Sequence, residues 1–211
     1  MDFVLSEPEI RVLGSLIEKE ITTPEYYPLS LNALMNACNQ KTNREPVVSY
    51  DEDDVRDALA SLIDKDLAII CGARDSRVPK YDNYLADKLA LNPAETAIMC
   101  VLMLRGPQTP GELRARTERM HQFTELSEIE TTLDSLASRE ESPLAVRLPR
   151  QPGRKEYRYA HLLSGDVLID SNSVTEQLDS SSETLRERVE RLETEIAELK
   201  REFAEFRRQF E

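Results

Sequence analysis

Cys38 is the residue whose neighbours most readily suggest chemistry. It stands in the run Ala37-Cys38-Asn39-Gln40-Lys41-Thr42-Asn43-Arg44. The positive charges of Lys41 and Arg44 would lower the pKa of a nearby thiol and favour a nucleophilic thiolate. Cys38 also follows Leu34 and Ala37 at helical spacing, which is typical of a small buried apolar residue. We favour the buried interpretation and expect no catalytic residue at this position.

Other patterns for catalysis or metal binding are weak. His121 and His161 are the two histidines of the chain, and they fall in different predicted elements. The acids at 51–54 are consecutive, so their side chains diverge around a helix, and acids in a first turn are favoured by the helix dipole. A glycine-rich phosphate loop, a Gly-x-Ser-x-Gly run and a His-Glu-x-x-His run are absent from the sequence. We therefore expect no enzyme, no metal and no cofactor.

Basic residues in the second half suggest a different chemistry, contact with nucleic-acid phosphates. They gather in a Gly- and Pro-rich turn and in an earlier helix, where Lys and Arg could displace counterions or reach a minor groove. A solvated loop, or a contact with an acidic face of another subunit, explains the turn about as well. The candidate nucleic-acid contacts are Arg114, Arg116, Arg119, Arg147, Arg150, Arg154, Lys155 and Arg158.

A polar run in the first half is a second candidate site. Its amides and charges exceed what a plain connector needs, so we predict a hydrogen-bonded cluster that either braces its own loop or contacts a neighbour. Ser30 is expected to cap one flanking helix, and Ser49 with Glu52 the other. The cluster comprises Asn39, Gln40, Lys41, Asn43 and Arg44.

These residues must be positioned by an internal repeat. Leu5-Ser6-Glu7-Pro8-Glu9 and Leu91-Asn92-Pro93-Ala94-Glu95 both combine an N-cap residue with a Glu three positions later, 86 residues apart. Thr23-Pro24 and Thr109-Pro110 keep that offset and predict the start of a second helix. The offset falls to 74 at the third helix, so the polar run is extra material in the first copy.

Each copy ends in a predicted hairpin. The strands are predicted at 68–71 and 78–81 in the first copy and at 144–148 and 157–159 in the second. Three helices followed by a hairpin is the order of a winged helix. The predicted fold is mainly α with small β-hairpins. Its parts are winged-helix domains at 1–90 and 91–164, a linker at 165–182 and a coiled-coil helix at 183–211.

The coiled-coil prediction rests on a seam of apolar residues at spacings of four and three. Matched flanking charges favour a parallel homodimer, although a helix that folds back on its own domains stays an alternative. The seam comprises Leu185, Val189, Leu192, Ile196, Leu199, Phe203, Phe206 and Phe210.

The charge of the chain limits the ways in which it could bind nucleic acid. The net charge of −13 disfavours a nonspecific nucleic-acid coat. The third helix at 51–66 has seven acids and two bases, and the one near residue 130 is also acidic, so a standard recognition helix is doubtful in both copies. Three scattered cysteines, no basic leader and no long apolar run predict a cytoplasmic protein that does not enter a membrane.

With repeat and tail in view, the chain resembles the YceH family of bacterial proteins. The resemblance lies in the runs Arg11-Val12-Leu13-Gly14-Ser15-Leu16-Ile17-Glu18-Lys19, Ala37-Cys38-Asn39-Gln40-Lys41-Thr42-Asn43-Arg44-Glu45-Pro46-Val47 and Leu104-Arg105-Gly106-Pro107-Gln108-Thr109-Pro110-Gly111-Glu112-Leu113-Arg114. It implies two winged-helix domains without an established activity or catalytic residues.

Two functions from different classes follow. In one, a dimeric regulator contacts DNA through its second wing. In the other, the paired domains are a protein-interaction module whose contact surfaces are the acidic third helix and the coil.

Overall fold

The computed structural model describes residues 3–72, 78–140, 142–150 and 156–165. These residues are mainly helical with small antiparallel hairpins, as the sequence predicts. Within those ranges, no helix combines the length and the apolar character needed to cross a membrane. The predicted coil at 183–211 lies outside the described residues.

The first half begins with the predicted cap. The amide of Ser6 donates to Glu9 Oε2 at 2.7 Å, and Pro8 occupies the first turn, where its missing N–H costs nothing. The half contains three helices and a three-stranded antiparallel sheet of order β1-β3-β2. Its elements are α1 (Glu7–Thr22), β1 (Leu29–Ser30), α2 (Leu31–Cys38), α3 (Glu52–Asp64), β2 (Ala68–Cys71) and β3 (Lys80–Asn83).

Two local predictions for this half are wrong. Thr23-Pro24 opens only a short 3₁₀ turn (Pro24–Tyr26), and α2 starts at Leu31, after Ser30, whose side chain accepts from the amide of Ala33. Helix α3 is capped by Asp51 together with Asp54 rather than by Ser49 with Glu52. Asp51 lies one residue before the helix, where its carboxylate reaches the free amides of the first turn.

The second half repeats this order after a short helix, α4 (Leu85–Lys88), that precedes it. The elements of the second half are α5 (Pro93–Arg105), α6 (Pro110–Thr117), α7 (Leu126–Ala137), β4 (Ala145–Arg147) and β5 (Tyr159–His161). Asn92 and Glu95 form the predicted capping box, and Thr109 forms another with Glu112 at the predicted start of α6. Gln108 makes an isolated bridge to Tyr159, in the place that β1 takes beside β3. Of the predicted hairpin strands, β2 is confirmed at 68–71, β3 and β5 begin two residues later than predicted, and β4 is shorter.

Helices α1 and α5 approach each other closely and join the two halves. A methyl group added at Gly14 would lie 3.0 Å from Leu104 Cδ2 and 3.3 Å from Met103 Cβ. The thiol of Cys100 donates to the Gly14 carbonyl at 3.4 Å. Cys100 lies 86 residues after Gly14, which is the offset of the repeat. The halves therefore pack through corresponding positions of their first helices.

The hydrophobic core runs through this contact. Leu16 and Leu59 from the first half belong to the same buried cluster as Leu102 and Leu133 from the second. Because the helices share one core, ten consecutive residues of α1, Glu9 to Glu18, are buried. Charged side chains on α1 must then find partners inside the protein. The domain boundary at residue 90 stays a prediction.

Gly14→Ala should destabilise the protein by about 1 to 2 kcal/mol. The extra methyl group must push α5 away, because Met103 Cβ is fixed to its backbone, and this overpacking outweighs the gain in helix propensity. Urea denaturation measures the effect. Gly111→Ala in α6 is the matched control, since the new methyl group would meet no atom closer than 4.0 Å and should add roughly 0.5 to 1 kcal/mol. Changes of the same sign would contradict the close-contact account.

Candidate functional site

A row of buried polar side chains on α1 organises the first candidate site. Arg11, Ser15 and Glu18 lie three and four positions apart, and each is at most 9% exposed. Their spacing places them on the face that α1 shares with α5 and with residues 39–51, which we call the junction segment. Burying a charge without a partner costs free energy. The junction segment must therefore supply hydrogen-bond or ion-pair partners for the charged members of this row.

Glu18 and Arg44 form the central ion pair of this site. Arg44 donates to Glu18 from two nitrogens, Nη1 at 3.0 Å and Nη2 at 2.6 Å, and its side chain is fully buried. Nε and Nη2 of Arg44 also donate to the Ala37 carbonyl, at 3.1 and 2.9 Å. Burial raises the pKa of the Glu18 carboxyl, but the hydrogen bonds and charge of Arg44 outweigh it and hold that pKa below the ordinary value.

Arg11 and Asn39 fasten the rest of the junction segment. Arg11 donates to the carbonyls of Cys38 at 3.3 Å and Pro46 at 2.6 Å. The Asn39 side chain pairs with the backbone of Tyr50, donating to its carbonyl and accepting from its amide, both at 2.8 Å. Arg11 thus holds the middle of the segment against α1, and Asn39 ties the two ends of the segment to each other.

The junction segment also contacts the second half. The amide of Glu45 donates to the Leu104 carbonyl at 2.9 Å, which satisfies a free carbonyl at the end of α5. Arg105 donates to Asn43 Oδ1, and Asn43 has a φ of 60°, a left-handed conformation that asparagine tolerates well. The segment is therefore both a brace for its own half and a contact with the other.

The remaining cluster residues have separate positions. Lys41 is exposed and Gln40 is half-buried. Neither side chain has a hydrogen bond to another described residue. The structure thus brings Asn39, Asn43 and Arg44 into the network and leaves these two out.

Cys38 lies in the hydrophobic core and is inaccessible to solvent. Burial raises the pKa of its thiol to about 11, more than the charges of Arg44 and Arg11 lower it. A neutral thiol at neutral pH is a poor nucleophile. Of the two basic neighbours that suggest a thiolate in the sequence, Arg44 is paired with Glu18 and Lys41 is exposed.

The basic wing, Arg147 to Arg158, is the second candidate site. The guanidinium carbons of Arg147 and Arg150 lie 4.7 and 5.7 Å from the ring centre of Tyr157, so both cations contact one aromatic ring. Both arginines are exposed. Arg154 and Lys155 fall outside the described residues.

The other candidate contacts are not gathered at the wing. Arg158 donates to the Pro107 carbonyl at 2.6 Å and to Glu112 at 2.9 Å, which ties β5 to the start of α6. Arg114 donates to the Thr124 carbonyl at 2.9 Å. Arg116 and Arg119 line a cavity together with Arg105, a residue that the sequence analysis missed. A basic residue in the last turn of α5 is the signal that could have found it.

The third helices present acidic surfaces. Glu52, Asp53 and Asp57 on α3 are exposed, and the single base of this helix, Arg56, is engaged by Glu52 and Asp53. On α7, Glu130 and Asp134 are exposed. Such surfaces repel phosphate.

Comparison with known proteins finds relatives over most of the chain. The profile of the family described as "Protein of unknown function, DUF480" matches residues 5–154. A UPF0502 protein of Opitutus terrae is 56% identical over 168 residues, which cover 80% of this chain and 73% of that protein. A UPF0502 protein of Geotalea daltonii is 60% identical over 166 residues, with 79% and 75% covered. The profile match ends before the predicted coil.

Arg44→Met should destabilise the protein by about 3 kcal/mol at neutral pH, because it leaves the buried carboxylate of Glu18 without a partner. In the native protein the lowered pKa of Glu18 contributes stability above pH ~4.3, and this contribution is lost as the pH falls further. Without Arg44, burial raises that pKa, and Glu18 takes up a proton on folding. The difference between variant and native protein should therefore narrow as the pH falls from 7 towards 4, measured by urea denaturation.

Arg56→Met is the control for this prediction. It removes an arginine that also contacts carboxylates but is exposed, so the expected loss is below about 1 kcal/mol. Equal losses from the two variants would refute the central role of the buried pair.

Proposed function

The chain belongs to the DUF480 family, whose description assigns no activity, and we propose from its own residues that it is a non-enzymatic, DNA-associated regulator. Its contact surface is the basic wing, where Arg147 and Arg150 lie against Tyr157. The proposal includes two tandem winged-helix domains, which the helix, helix, helix, hairpin order of each half supports. It also includes a homodimer formed through the seam at 185–210, and a correspondence with the YceH family.

The pairing of Arg147 and Arg150 over one ring is the observation that carries this proposal. The contact with the tyrosine ring orders both arginine side chains before any ligand binds. Less side-chain entropy is therefore lost when the wing binds a phosphate. Two guanidinium groups presented together suit adjacent phosphate oxygens, which arginine binds with its planar fork. The wing therefore supplies the positive charge that α3 and α7 lack.

The acidic helices limit how DNA would be bound. A winged helix usually inserts its third helix into the major groove, but exposed acids such as Asp53 and Asp57 would face phosphates there. The wing alone could contact the DNA backbone and the minor groove. Such contacts position a protein on DNA but recognise few base edges. We propose weak sequence discrimination and strong salt dependence. The free cysteines Cys38, Cys71 and Cys100 accord with a cytoplasmic location.

Removing both wing arginines tests this function. Arg147→Gln combined with Arg150→Gln should weaken duplex binding at least about tenfold and make the log–log salt slope shallower by about 1 to 2. Fluorescence anisotropy of labelled duplex DNA at several salt concentrations measures both quantities. Arg56→Gln on α3 removes a charge elsewhere and should leave both quantities nearly unchanged. An affinity that does not change with salt concentration, or that the double substitution leaves unchanged, would exclude the wing as a DNA-binding surface.

The exposed acids of α3 support a second candidate, a protein-interaction module. Glu52, Asp53 and Asp57 form a surface that suits a basic partner and repels nucleic acid. In a pull-down from cell extract, a specific partner should be lost with Asp53→Asn and Asp57→Asn and retained with Arg147→Gln and Arg150→Gln. The reverse pattern would exclude α3 as the contact surface and place the protein contact at the basic wing.

A further inference from the structure

A cavity of about 220 Å³ lies where the two halves meet, beside the central ion pair. The end of α1, the junction segment, the end of α5 and the second half of α6 all contribute to its wall. Its polar lining includes Glu18, Asn43, Arg105, Arg116 and Arg119. The elements that form the cavity are therefore held by the same contacts that join the halves.

Positive charge in this cavity is not balanced. Glu18 already pairs with Arg44, so this pair is neutral as a unit. Among the side chains that line the cavity, Arg105, Arg116 and Arg119 outnumber the carboxylates Glu18 and Glu118, and the nearby carboxylate of Glu45 also acts on Arg105. Within the described part of the chain, none of these three arginines has an ion pair with a carboxylate.

The three arginines also differ in how they are held. Arg105 is half-buried and fixed by its bond to Asn43, whereas Arg116 on α6 and Arg119 in the turn after that helix have no hydrogen bond to any other described residue. Arg119 thus lies beyond the end of the helix in which the sequence predicts it. Burial lowers the pKa of the Arg105 guanidinium, and the nearby charge of Arg116 lowers it further, although the group stays protonated. Like charges held together in a partly buried site gain from an anion that bridges them.

We propose that this cavity binds the phosphate group of a small metabolite. A phosphate monoester carries nearly two negative charges at neutral pH, which suits a lining in which arginines outnumber carboxylates. Its oxygens accept the parallel hydrogen bonds that guanidinium groups donate. A cavity of about 220 Å³ suits a phosphate with a short carbon chain. Arg116 and Arg119 thus serve a small ligand, separate from the basic wing.

Isothermal titration calorimetry of the full chain with inorganic phosphate and with glycerol 3-phosphate tests the proposal. Both ligands carry the phosphate group. Tighter binding of glycerol 3-phosphate would show that the cavity also recognises the carbon chain, and tighter binding of inorganic phosphate would show that it prefers the free ion. Arg116→Gln combined with Arg119→Gln should weaken binding about tenfold or more, because two charge-assisted contacts are lost. The ligand should also raise the Tm of the native protein more than sodium chloride does at equal ionic strength.

Arg114→Gln is the matched control. It removes the same charge from the same helix, but Arg114 does not line the cavity and contacts the Thr124 carbonyl instead. Phosphate affinity should change less than about twofold. Circular dichroism and the Tm without ligand verify that each variant is folded.

Three results would overturn the proposal: no phosphate binding to the native protein, binding that persists in the double variant, or an equal loss with Arg114→Gln. A fourth would be a double variant that loses duplex DNA affinity while the native protein binds neither small phosphate, since these arginines would then contact DNA. Loss of DNA binding on substitution of Arg147 and Arg150, with phosphate binding intact, would support two separate sites.

Discussion

The close approach of α1 to α5 at Gly14 is the constraint on which the rest of this structure depends. It lets the two halves share one core, and it surrounds α1 so completely that Glu9 to Glu18 are all buried. A buried helix can keep charged side chains only if the protein supplies partners for them. Arg11 and Glu18 are such side chains, and their partners come from the junction segment.

The extra residues of the first half gain their role from this constraint. Arg44 neutralises Glu18, and the carbonyls of Cys38 and Pro46 accept from Arg11. The same segment reaches the end of α5 through Glu45 and Asn43, so it fastens one half to the other. The second half joins α6 to α7 through the shorter stretch 118–125, and it contributes arginines to the cavity beside the ion pair. A repeat with two equal copies would provide neither the brace nor the cavity.

The charged side chains of the molecule form separate acidic and basic surfaces. Exposed acids cover α3 and α7, whereas Arg147 and Arg150 both lie against the ring of Tyr157. The sequence places Arg114, Arg116 and Arg119 in one predicted helix, but α6 ends at Thr117 and Arg119 lies in the turn that follows. Arg116 and Arg119 line the cavity, whereas Arg114 contacts Thr124. Only the neighbouring elements show what each arginine faces.

By itself the sequence determined the features that depend on neighbouring residues. The caps at Asn92 and Thr109, the apolar stripes and the approximate hairpins follow from contacts within a few positions, which is why they were predictable. Thr23-Pro24 carried the same signal as Thr109-Pro110 and failed, since β1 lies between it and α2, which begins only at Leu31. Only the tertiary structure decided that Arg44 meets Glu18 and that Arg105 joins Arg116 in one cavity. The first pair depends on how the junction segment folds against α1, and the second on how α6 packs beside the end of α5, which no local pattern of residues specifies.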